Sequence, residues 1–129
     1  MDAWNQTSAI FQFLDNPSSQ NGLCAHDRGP NGGAVAETWI YPEQPNTALQ
    51  EVQVEVNLYY RFDPSHSSHP GDASQGIWDL ATVLTHELGH CLYLRHSSDP
   101  NAVMYGTLPA NSVKVLNQDD INEITALYP

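Results

Sequence analysis

The sequence predicts an α+β domain, sheet-rich over residues 1–62 and helical beyond residue 77. Three observations carry that prediction. Val52, Val54, Val56, Leu58 and Tyr60 alternate with Glu51, Gln53, Glu55, Asn57 and Tyr59, the period of two of a half-buried strand. Ile77, Leu80, Ala81, Leu84 and Leu88 recur at helical spacing. Asn117 precedes a third apolar pattern, Ile121, Ile124 and Leu127, whose first turn holds Asp119 and Asp120.

In chain order, the apolar stretch Ile10–Leu14 reads as a short strand. Residues 16–22 read as a loop, and the Gly-, Asn-, Asp- and Pro-rich stretch 23–33 as irregular. Val35–Tyr41 is β-branched and aromatic and ends at Pro42, a strand. The alternation over 51–62 is the clearest strand, with one face covered and the other wet. Residues 63–76 form a polar loop, 77–92 a helix, 97–109 a return to turns, and 118–127 a last helix. There are no repeats and no low-complexity linkers, so residues 1–129 read as one domain.

Composition narrows the function. The 129 residues hold 15 acids against 4 bases, a formal net charge of -11. Neutralising phosphates takes clustered Lys and Arg, so nucleic acid is excluded as a partner, and anionic membrane surfaces are disfavoured for the same reason. No apolar run is long enough to span a bilayer. The first residues lack the basic and apolar regions of a signal peptide. Cys24 and Cys91 leave two readings open. A disulfide would close a loop of about 66 residues, contributing about 4 kcal/mol, and two free buried thiols fit equally well.

The decisive motif is His86-Glu87-Leu88-Gly89-His90. On a helix, His86 and His90 lie about 40° apart and one turn along the same face. Two imidazoles so placed can share a Zn²⁺ ion, with Glu87 beside the first ligand and able to reach an attacking water. A third ligand is needed. His96 follows six residues after His90. On a continuous helix it would sit about 15 Å beyond His86, so it joins the site only if the helix ends near Tyr93 and the chain doubles back.

The run His86–His96 resembles the zinc signature of the metzincins. The continuation to Met104-Tyr105 resembles the matrixin branch, the peptidase family of the matrix metalloproteinases. Upstream, Asp79–Thr85 is similar to bacterial-type matrixins, and downstream Asn117–Asn122 to the start of that family's last helix. The resemblance implies a metzincin-like zincin catalytic domain: a twisted mixed β-sheet packed on an active-site helix, with a C-terminal helix. It implies one catalytic Zn²⁺ on His86, His90 and His96, with Glu87 as general base toward a metal-activated water. Met104 would form an apolar floor under the metal, in a Met-turn region 97–109. Asp119 and Asp120 would tie the last helix to that turn. The implied activity is a zinc metalloendopeptidase, extracellular and monomeric, acting on peptides or proteins that pair with a sheet edge at Gly33, Ala34, Val35 and Ala36.

The chain also departs from the family. Tyr93 stands where the family has a glycine that turns left-handed, a conformation costing Tyr roughly 1–2 kcal/mol. Gly106 and Leu108 replace the Pro and Tyr that line the primary specificity pocket. A second Zn²⁺ or a Ca²⁺ has no clear site, the nearest candidates being Asp63, His66, His69 and Asp72. Trp4 resembles the tryptophan near the end of the family's first long helix, which predicts a shortened N-terminus and exposed apolar sheet surface. Three rival readings remain: Glu123 as third ligand in place of His96, a zinc-stabilised binding module without catalysis, and a structural domain without metal.

Overall fold

A computed structural model describes residues 1–10, 13, 18–31, 33–41, 51–66 and 76–129. Its sheet is built on the alternating segment. Strand β1 (Gly22–His26), β2 (Ala36–Tyr41) and β3 (Glu51–Asn57) form a three-stranded sheet in the order β1-β3-β2. β1 runs parallel to β3 and β2 antiparallel, so the sheet is mixed. Val52, Val54 and Val56 are each at most 7% exposed, while Glu51 and Gln53 face outward. Burying each valine contributes roughly 1.5 kcal/mol or more.

Helix α2 (Leu80–Cys91) packs on the buried face of the sheet. Val83 meets Ala36 and Val56, and Cys91 meets Val52 and Val54. Asp79 caps α2, its carboxylate accepting the Thr82 N–H at 2.7 Å. On the other side lies a second core of Trp4, Leu92, Leu94, Met104 and Ile124. Trp4, on the short helix α1 (Asp2–Asn5), is fully buried and donates its indole N–H to the Thr85 carbonyl at 2.8 Å. Helix α3 (Gln118–Leu127) closes this side, capped by Asn117 in a reciprocal capping box with Asp120.

Several expected elements differ. Ile10 lies in a bend, 77% exposed, and Phe13 is held outside any strand by Asn5, whose side-chain amide bonds both its N–H and its carbonyl. Residues 11, 12 and 14 of that expected strand lie outside the described residues. The stretch 23–33, expected to be irregular, begins inside β1. The expected strand 51–62 stops at Asn57. There the Asn57 side-chain oxygen takes the N–H groups of Tyr59 and Arg28, and the chain turns before the short strand β4 (Arg61–Asp63). Residues 77–79 are not helical but form strand β5 (Ile77–Asp79), parallel to β4. Cys24 and Cys91 are both free thiols. Among the described residues no helix is long and apolar enough to cross a membrane.

Candidate metal centre

The end of α2 decides the site. The Tyr93 N–H donates to the His90 carbonyl at 2.8 Å and the Leu94 N–H to the Gly89 carbonyl at 3.1 Å. This paired closure needs a left-handed residue between them, and Tyr93 supplies it with φ 62°. The chain therefore doubles back immediately, and His96 returns beside the helix it has just left.

His86, His90 and His96 form the one group of three or more potential metal-ligating side chains that converges among the described residues. His86 Nε2 and His90 Nε2 are 3.1 Å apart, and His90 Nε2 and His96 Nε2 are 3.2 Å apart. His86 Nδ1 lies 2.7 Å from the Val103 carbonyl and His90 Nδ1 lies 2.8 Å from the Leu94 carbonyl. A carbonyl only accepts, so both Nδ1 atoms carry the proton and both Nε2 atoms turn bare lone pairs toward one another. Two ligands about 2.1 Å from a tetrahedral ion sit about 3.4 Å apart. The donor set thus fits a Zn²⁺ ion in element, tautomer and spacing. Burial, first of all, pushes the His86 imidazole down to about 4, with the neighbouring His90, His96 and Lys114 adding to the shift against the Val103 bond. Burial also lowers His96. Both effects favour the neutral, metal-binding form.

The floor and frame are rigid. Met104 is fully buried beneath α2, where a Cβ on Gly89 would lie 2.3 Å from its sulfur. The loop carrying Met104 is tied to α3 by Asp120, fully buried, whose carboxylate accepts the N–H groups of Val103 and Met104, each at 2.9 Å. Ser97 donates its hydroxyl to Asp119, and its N–H bonds the Met104 carbonyl at 2.8 Å. Lys114, which sequence reasoning missed, donates to the Pro100 and Ala102 carbonyls and steadies the same loop. Gly106 leaves room for His96: a Cβ there would lie 3.1 Å from its Nδ1.

Glu87 is 5% exposed, one residue from the first histidine. Burial raises its carboxyl above the ordinary range, opposed by a hydrogen bond from Thr38. A cleft of about 610 Å³ opens over these groups. Its apolar wall is made by Val35, Trp78, Val83 and Leu108, with the Trp78 indole N–H donating to the Leu108 carbonyl at 3.3 Å. Ala34, Val35 and Ala36 line it, together with the rest of β2 through Trp39. Gly33 does not; it takes φ 90° in the turn before the strand.

Glu123 is not part of the convergent group; it stands on α3 beside Asp119 and Asp120. Of the candidates for a second ion, His69 and Asp72 lie outside the described residues. Asp63 accepts from Ser65, and His66 is bound to Asp79 at 2.8 Å.

Comparison with known proteins points the same way. The family profile described as Matrixin matches residues 14–129. Metalloendoproteinase 4-MMP of Arabidopsis thaliana is 51% identical over 112 residues, covering 83% of this chain and 25% of its own. Human matrilysin is 58% identical over 60 residues, covering 43% and 21%. Mouse interstitial collagenase B is 42% identical over 73 residues, covering 56% and 15%. The chain therefore spans a quarter or less of the length of these relatives.

Proposed function

The chain belongs to the matrixin family, and from that premise we propose that it is a secreted zinc endopeptidase in which His86, His90 and His96 hold the metal and Glu87 is the general base. The observation that carries this reading is the meeting of three imidazole Nε2 atoms beside a buried carboxylate at the foot of an apolar cleft.

Bound zinc would supply a Lewis acid that polarises the scissile carbonyl and makes water acidic near neutral pH. The rest falls to the protein. Glu87, its proton affinity raised by burial, accepts a proton from the attacking water and returns it to the leaving amine. The Val103 and Leu94 carbonyls fix the rings of His86 and His90, so the ligands need little rearrangement. Met104 closes the site from below against water. Among the described residues β2 pairs with β3 along one edge, and its other edge borders the cleft, where an extended peptide can add as a strand. The wall of Val35, Trp78, Val83 and Leu108 suits an apolar side chain, and the net charge of -11 disfavours acidic peptides.

Metal content and hydrolysis test this together. The parent is expected to bind one zinc and to cleave an unfolded protein, with cleavage lost on chelation. His96→Ala should lose the zinc and Glu123→Ala keep it; the reverse would place the third ligand on α3. Zinc in the parent without cleavage would favour a binding module.

A further inference from the structure

Thr38 stands in the middle of β2, on the same face as Ala36 and Ile40, and that face looks toward α2. Its hydroxyl oxygen lies 2.6 Å from Glu87 Oε2 and 3.0 Å from the Glu87 main-chain carbonyl. A hydroxyl has one proton to give, and the nearer, charged acceptor takes it. Among the described residues no other hydrogen bond reaches the Glu87 carboxylate, and a glutamate's last torsion is otherwise broad. Thr38 is itself stiff, because branching at Cβ restricts χ1 and β2 is locked along its length to β3.

We infer that Thr38 is a positioning residue for Glu87: it pins Oε2 and leaves Oε1 as the one carboxylate oxygen open to the attacking water. This rests on the reading of Glu87 as general base. It adds a link between substrate and base. The strand whose edge borders the cleft is the strand that sets the carboxylate, so peptide backbone and proton acceptor are registered to one rigid element. A base displaced by about 1 Å can lose up to a hundredfold in rate.

The test compares Thr38→Val, which keeps the shape and removes the donor, with Thr38→Ser, which keeps the donor and removes the methyl group. For the zinc-loaded chain, Thr38→Val should lower kcat about ten- to hundredfold, with KM within about twofold and zinc content unchanged. Thr38→Ser should stay within about threefold of the parent. A second readout needs no turnover. In the cobalt-substituted chain, the visible d–d bands of Thr38→Val should move from the parent's toward those of Glu87→Gln, and those of Thr38→Ser should not. Should Thr38→Val not fold, Thr38→Ala replaces it in both assays. A Thr38→Val chain with the parent's kcat and cobalt spectrum overturns the inference, as does a Thr38→Ser chain impaired as much as Thr38→Val. A parent that cleaves nothing overturns the peptidase reading, and the cobalt spectra then decide the role of Thr38 alone.

Discussion

Replacing Asp120 by Asn changes almost no volume and removes one charge, and it acts at a point on which the whole site hangs. Asp120 accepts three backbone hydrogen bonds through both carboxylate oxygens. Oδ2 takes the N–H groups of Val103 and Asn117 and Oδ1 takes that of Met104, each at 2.9 Å, with the side chain completely buried. An asparagine offers one oxygen. Its best orientation keeps the two bonds at the Oδ2 position, now without charge, and turns an NH₂ group against the Met104 N–H. Losing charge assistance on two bonds and leaving one buried donor unpaired costs about 2–4 kcal/mol. That is a large share of the ~5–15 kcal/mol that holds a domain together. The effect reaches His86 through one peptide unit: the N–H of Met104 binds Asp120, and the Val103 carbonyl of the same peptide holds His86 Nδ1 at 2.7 Å. Urea unfolding of the metal-free chain at pH 7 measures the first part and zinc titration the second. A loss below about 0.5 kcal/mol, with zinc affinity intact, would show that the buried carboxylate is not what joins α3 to the site.

Other consequences follow from single residues. Gly89→Ala gains about 1 kcal/mol of helix propensity but places a Cβ 2.3 Å from the Met104 sulfur and 2.9 Å from Trp4, both fully buried; a net loss of about 1–3 kcal/mol is expected in thermal melting, and a rise in Tm would contradict the packing. Because Tyr93 is left-handed, Tyr93→Gly should be more stable than Tyr93→Ala by about 1 kcal/mol, both having lost the ring; equal stabilities would remove the backbone strain from the account. The metal-free chain should weaken in mild acid. His86 is held down to about 4 against 6.5 when unfolded, so the unfolded chain binds more protons between those values. Its contribution is complete above pH 6.5 and fades as the pH falls toward 4, by up to about 3 kcal/mol. Unfolding curves that superimpose at pH 7 and pH 4.5 would rule this out.

What could be read in advance depended on whether a residue's role was local. The His-Glu-His spacing is a property of one helix turn, and Asn117 with Asp120 is a property of one helix start, so both are legible in a few residues. β1 was not. Four of its five residues are exposed, so it carries no alternation, and only its pairing with β3 makes it a strand. The alternating pattern ran on through Leu58 and Tyr60 because nothing in it reveals that the Asn57 side chain would take the next turn's N–H. Ile77 keeps helical spacing with Leu80 and Ala81, yet Asp79 caps the helix with ψ 113° and leaves Ile77 in a strand. Thr38 was the deepest omission. Its place on the inner face of β2 follows from period two, but the helix residue it meets lies 49 positions away and is set by packing alone.

The central claim is tested most directly by the zinc-loaded parent and Glu87→Ala, assayed side by side on an unfolded protein substrate with zinc content measured in both. We expect cleavage by the parent, none by the variant, and one zinc in each. Cleavage that survives in Glu87→Ala, or zinc bound in the parent with no cleavage at all, would contradict it.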